Sequence, residues 1–291
     1  MASVTDTRFA LALLTIMMTM SACGESDLVA VQGPGLTPQN FVGGSKVVSM
    51  AIGDDAASLA QKSPSLFSPS LDLKEWLSFS GNLQMNYDDG LLRYRGCAQH
   101  VSASAVLSSS DGVGYRGADG QYVYSSGLTL IEATGCDYFH SPADTVAAAE
   151  KVVAQIEATS GDVERAFSEE LASINANGFE EMVPGCVGNA QGVVEPAHLI
   201  NCLYERTPEA WGEFVDESKR VTFARLRTPQ VRADIAVHAS LPLNIDLDTG
   251  RQRLPREQLK PTFYLSISFV SRDMESREPP SDPFYGLKSG S

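Results

Sequence analysis

The longest regular alternation of apolar and polar positions lies near the C-terminus. From Val231 to Asp248, the residues Val231, Ala233, Ile235, Val237, Ala239, Leu241, Leu243, Ile245 and Leu247 fall on one face of an extended chain. Arg232, Asp234, Ala236, His238, Ser240, Pro242, Asn244, Asp246 and Asp248 fall on the other. Side chains of a strand alternate between its faces, so the spacing predicts a strand buried on one side and wet on the other. The run is long for one strand, and Pro242 cannot donate to a ladder, so a break is expected there. Thr262 to Ser271 answers it with Phe263, Leu265, Ile267 and Phe269 on one face. Together the two runs predict a long C-terminal antiparallel β-ribbon that covers helices.

The same period occurs earlier. Leu83, Met85 and Tyr87 alternate with polar neighbours, Asp88-Asp89-Gly90 supplies a turn, and a return strand begins at Leu91 and reaches Gly96-Cys97. Val101, Ala103, Ala105 and Leu107 repeat at period two, and Gln121 to Ile131 reads as one or two more strands. The period then changes. Ser141 is a helix cap, Pro142 occupies the first helical position, and Asp144 meets the positive end of the dipole. Val146, Ala149, Val153 and Ile156 form the apolar stripe of that helix. A second helix is expected after Gly161, with Val163, Phe167, Leu171 and Ile174 on one side and Asn177-Gly178 as its stop. A third runs from Pro196 to about Glu205, and Thr207-Pro208 starts a fourth carrying Trp211, Phe214 and Val215. The fold class expected is α+β, with antiparallel β-sheet packed with about four helices.

The ends differ in kind. Phe9 to Met20 is apolar except for two threonines and follows a short segment with one basic residue, Arg8. This is a signal peptide's h-region, too short to cross a bilayer as a helix, which needs ~20 apolar residues. Met20-Ser21-Ala22-Cys23 resembles the bacterial lipobox, with Met20 where leucine is usual. That resemblance implies cleavage after residue 22, lipidation of Cys23 and anchoring by two or three acyl chains, each buried methylene contributing ~0.8 kcal/mol. Gly24 follows in place of the aspartate that retains such proteins at an inner membrane. The expected address is the outer membrane, at its periplasmic face or the cell surface. The organisation read from the chain is a signal peptide (1–22), a glycine- and proline-containing tether (23–45), a β-rich block with a helix (46–158), helices followed by the ribbon (159–272) and a tail (273–291).

Charge narrows the partners. The formal net charge of −14 excludes a nucleic-acid partner, which needs clustered Lys and Arg. Between Asp137 and Glu217 there are 16 acidic residues against Lys151, Arg165 and Arg206. From Lys219 to Lys260 basic residues dominate, which predicts two oppositely charged segments facing each other in the fold. The partners expected are the membrane, through the lipid, and an envelope protein or polymer.

Four cysteines remain after Cys23: Cys97, Cys136, Cys186 and Cys202. In an oxidising compartment an even number reads as two disulfides. Three connectivities are possible. Pairing Cys97 with Cys136 and Cys186 with Cys202 brackets contiguous blocks, with loop-closure contributions of ~4 and ~3 kcal/mol. The alternative is a zinc set, Cys97-x-x-His100 with Cys136-x-x-x-His140.

Residues 71 to 158 resemble the META-domain lipoproteins, a small fold of antiparallel strands packed around a helix. The resemblance rests on the strand pair around Asp89-Gly90, on Gly96-Cys97 where the family has glycine-cysteine-asparagine, and on Thr134-x-Cys136, followed by a helix containing Glu150. Ala98 departs from the family's asparagine. Ser109-x-x-Gly112-x-x-Tyr115 also resembles the serine-glycine-tyrosine loop of lysozyme-inhibitor modules.

No HExxH, GxSxG, phosphate loop or dinucleotide fingerprint occurs, and no cofactor is implied. Asn244-x-Asp246-x-Asp248 begins like a calcium loop, but Gly250 falls one place late and Pro255 stands where the bidentate glutamate belongs. No residue earns a catalytic role. The expectation is a non-enzymatic binding, scaffolding or protective protein of the envelope. The alternatives are a carboxylate-dependent hydrolase of envelope polymers and a lipid-binding or assembly subunit that uses the amphipathic ribbon.

Overall fold

The computed structural model describes residues 47–74, 76–107, 120–179, 195–206, 219–241 and 258–272. The lipobox, the tether, Ser109 to Tyr115, Cys186, the helix expected from Thr207, the run after Leu241 with its calcium-like segment, and the tail from 273 lie outside these residues.

Eight strands form one sheet in the order β1-β2-β3-β4-β8-β7-β6-β5. They are β1 (Val47–Met50), β2 (Leu77–Asp88), β3 (Arg93–Ser104), β4 (Leu130–Phe139), β5 (Glu164–Arg165), β6 (Lys219–Arg227), β7 (Val231–Ser240) and β8 (Thr262–Ser271). Only β1 pairs in parallel, with β2; the remaining neighbours are antiparallel. Four helices accompany them among the described residues: α1 (Ala56–Lys62), α2 (Pro142–Thr159), α3 (Ser168–Phe179) and α4 (Pro196–Glu205). The fold is therefore α+β. The β-rich block of residues 46–158 and the following 159–272 meet in the pairing of β4 with β8.

The β2–β3 turn is built by its own side chains. Asp88 Oδ1 accepts from the Gly90 amide at 2.8 Å, and Asp89 Oδ1 accepts from the amides of Leu91 and Leu92. Gly90 has φ +90°, a left-handed conformation open to glycine at no steric penalty. In β3 a bulge between Ala98 and His100 inserts one residue, Gln99, into the ladder. It shifts the alternation by one, so Ala98 before it and Val101 and Ala103 after it are all buried.

Helix α2 follows its punctuation closely. The Ser141 hydroxyl accepts from the Asp144 amide, Pro142 opens the helix, and Thr145, Ala149, Val153 and Ile156 are buried. That stripe joins one core with Leu199, Ile200 and Leu203 of α4 and with Val231, Ala233, Ile235, Val237, Phe263, Ile267 and Phe269 of β7 and β8. The strands β7 and β8 pair from Val231 with Ser271 to Ser240 with Thr262, in the interior of the sheet.

Five expectations require correction. The strand expected over Gln121 to Ile131 begins only at Leu130 and continues to Phe139; an isolated bridge, Val106 with Tyr124, is the pairing found before it. The helix expected after Gly161 starts at Ser168, because Glu164 and Arg165 are used in pairing with Arg227 and Leu226. Phe167 then precedes the helix and is 73% exposed, and Asn177-Gly178 lies inside the helix. The polar side of β7 is not wet at its first half: Arg232, Asp234 and Ala236 are buried.

That burial is tolerated because the charges are paired. Arg225 donates to Asp234 through Nε at 2.7 Å and Nη2 at 3.0 Å, and Arg232 lies 3.3 Å from the same carboxylate. Glu170 at the start of α3 takes Arg227 and Arg225, joining the acidic middle of the chain to the basic segment after it. The side-chain hydrogen bond from Arg227 holds the Glu170 carboxyl below the usual range. Farther along α3, the Asn175 amide donates to the Thr222 carbonyl at 3.0 Å and accepts from the Thr222 N–H at 2.8 Å. A side-chain amide thus stands in for a neighbouring strand along the edge of β6, which β5 covers only at Leu226 and Arg227.

Candidate functional site

Strands β3 and β4 pair from Ser104 with Leu130 down to Ala98 with Gly135 and separate beyond that point. Where they part, a disulfide joins Cys97 to Cys136, with their Cα atoms 5.6 Å apart. The opened edge of β3 is then taken by α2. Gln155 Nε2 donates to the Arg95 carbonyl at 2.7 Å, Thr159 Oγ1 donates to the Arg93 carbonyl at 3.3 Å, and Ser160 Oγ accepts from the Arg93 amide at 3.0 Å.

A cleft of about 380 Å³ fills the space between β3, β4 and α2. Ala133, Phe139, Val152, Ile235, Leu265 and Ile267 give it apolar walls, and Asp137, Lys151 and Gln155 stand among its polar lining. Two glycines open it, each preceding a bridged cysteine: Gly96 and Gly135. The Tyr94 ring folds over Gly96, where any Cβ would collide with the tyrosine hydroxyl and ring. At Gly135 a Cβ would come within 3.3 Å of the Leu265 carbonyl oxygen. Glycine at both positions lets the Tyr94 ring and the Leu265 backbone approach β3 and β4 closely where they line the cleft. Burial pushes the Tyr94 phenol upward, so its hydroxyl stays protonated and able to donate.

The predicted cysteine chemistry divides between described and undescribed residues. Cys97 and Cys136 are bonded to each other, which takes both sulfurs from the zinc alternative; His100 Nδ1 lies 2.9 Å from Ser80 Oγ, and His140 is exposed at the end of β4. No group of three His, Cys, Asp or Glu side chains able to hold a metal occurs among the described residues. Cys202 in α4 is also disulfide-bonded.

Two serine–histidine pairs were not visible in the sequence. Ser80 meets His100, and Ser266 meets His238 through Nε2 at 2.7 Å. His238 stacks flat on Tyr264 at 4.8 Å, and its Nδ1 is buried without a hydrogen-bond partner. Burial, aided by the Arg220 charge, lowers its pKa to about 4. A general base is most effective with a pKa near working pH and an orienting partner on its second nitrogen, and His238 has neither. We therefore read this pair as structural.

No family model matches the chain, and neither a curated protein nor a solved structure does. The described helices include none long and apolar enough to cross a membrane.

Proposed function

We propose that this chain is a lipid-anchored envelope protein, held through Cys23, whose folded part binds an apolar group of a small ligand or envelope partner in the cleft between β3, β4 and α2. The observation that carries the binding role is the cleft itself: apolar walls, a polar rim and a size near the lower end of ligand pockets, about 300–1,000 Å³. Most of its lining belongs to residues 71 to 158, so the block that resembles the META-domain lipoproteins is the binding module in this reading.

The competing readings find less support. A carboxylate-dependent hydrolase needs two carboxyls facing each other across a cleft, and Asp137 is the single carboxylate among the described residues of this lining. A lipid carrier built on the C-terminal ribbon needs an uncovered apolar face, whereas Val231, Ala233, Ile235, Val237, Phe263, Ile267 and Phe269 are packed in the core. Titration with an environment-sensitive apolar dye, anilinonaphthalene sulfonate, tests the binding role. Saturable fluorescence abolished by Ala148→Trp, which fills the cleft from α2, supports it; equal binding by the variant with unchanged circular dichroism overturns it. Release of Cys23→Ser from the membrane fraction tests the anchor.

A further inference from the structure

Three polar groups on the cleft have no hydrogen bond or ion pair within the protein among the described residues: the Tyr94 hydroxyl on β3, the Asp137 carboxylate on β4 and the Lys151 ammonium on α2. They are of three kinds: a neutral donor, an anion and a cation. Around them stand the apolar walls formed by Ala133, Phe139, Val152, Leu265 and Ile267. Lys151 shares the cleft-facing side of α2 with Ala148, Val152 and Gln155, the four falling at i, i+3, i+4 and i+7 of one helical stripe.

The ligand that satisfies this set carries both charges. A simple anion would match Lys151 alone and a simple cation Asp137 alone, so either should bind more weakly than a molecule that carries both charges. A neutral apolar molecule would leave these two exposed ions unmatched and displace part of their water, which opposes binding. Resting on the cleft reading above, we propose that the site takes a small zwitterion with an apolar side chain, an α-amino acid or a dipeptide. Its ammonium meets Asp137, its carboxylate meets Lys151 and the Tyr94 hydroxyl, and its side chain lies between Val152, Leu265 and Ile267. The cavity of about 380 Å³ suits a molecule of this size and not a long chain.

Calorimetric titration of the full chain with leucine, leucyl-leucine, N-acetyl-leucyl-leucine and leucyl-leucinamide tests the proposal, and the first two arms tell amino acid from dipeptide. A zwitterionic compound is expected to bind, and capping either end to weaken it about tenfold, the effect of losing one charge-assisted hydrogen bond. Asp137→Asn should erase the penalty of the N-acetyl cap, Lys151→Gln that of the C-terminal amide, and Tyr94→Phe should weaken binding with the fold intact. Capped compounds binding as tightly as the zwitterion, with binding still lost in Ala148→Trp, overturn the zwitterion and leave the cleft standing. Absence of binding by either zwitterion also overturns the proposal, and the dye titration then judges the cleft separately.

Discussion

The ring of Tyr87 lies flat on that of Phe269, with centroids 3.8 Å apart and planes inclined by 7°. The two residues belong to β2 and β8, which β3 and β4 separate in the sheet. Three strand spacings in a flat sheet amount to ~14 Å, so the sheet must curl for these rings to touch. Register shifts lie between Ser80 and Leu83 and between Ala98 and His100, and such bulges increase the local bend and twist of a strand. The curl carries the hairpin's outer half over the core and brings Tyr94 to 6.1 Å from the same phenylalanine, beside the cleft.

Phe269→Ala should therefore destabilise the protein by ~3–5 kcal/mol in denaturant unfolding, as large-to-small changes of buried aromatics do. Tyr87→Phe keeps the stack and loses the 2.9 Å hydrogen bond that the hydroxyl donates to Asp89, a change of ~1 kcal/mol. Equal losses from the two substitutions would deny the stack its role.

Replacing Cys97 and Cys136 together by serine removes a bridge between residues 39 apart in sequence. Chain-entropy estimates put the loss near 4 kcal/mol. Thermal unfolding of the variant should shift down, and reductant should have no corresponding effect on it at this bridge.

Asn175→Ala leaves the Thr222 amide and carbonyl without partners in a buried setting and should cost about 2–4 kcal/mol. Asn175→Asp should not rescue it at pH 7, since a carboxylate can accept from the Thr222 N–H but would lie buried and unpaired against the Thr222 carbonyl. Unfolding midpoints of the three proteins check that both variants fall well below wild type.

Acid should weaken the fold through two groups in different windows. The folded pKa of His238 is about 4 against about 6.5 unfolded, so between those values the unfolded chain binds the proton and the folded chain does not. Stability falls as the pH drops from 6.5 towards 4, and His238→Gln should flatten that slope. Glu170 titrates low in the fold, so its contribution is present above the ordinary carboxylate range and is lost as the pH falls through the folded value. Glu170→Gln should be less stable than wild type at pH 7, with the gap closing in acid. Unfolding measured from pH 3 to 7 shows both effects.

Legibility followed locality. Helix α2 was readable because its capping hydroxyl, proline and aspartate act within four residues of one another. The β2–β3 hairpin was readable from its turn. Strand β6 was not, because the irregularity between Thr222 and Ala224 breaks the alternation of its buried Val221, Ala224 and Leu226, leaving only its charge conspicuous. The alternation in the sequence stops short of strand β4 because Gly135, its next position on the cleft side after Ala133, carries no side chain, and Glu132 and Asp137 give the rest a polar look. The cleft draws on β3, β4, α2, β7 and β8, so no window of the chain contains it. Its one trace in the sequence is the repeated Gly-Cys step, Gly96-Cys97 and Gly135-Cys136. Each cysteine there is half of the bridge and each glycine lines the cleft beside it, where a neighbour packs against its backbone.

The cleft between β3, β4 and α2 is the centre of the account, and amide chemical-shift mapping of the full chain titrated with anilinonaphthalene sulfonate tests it most directly. The account predicts saturable shifts concentrated at Gly96, Gly135, Val152 and Gln155. Shifts centred elsewhere, or none at those four amides while the dye binds, would contradict it.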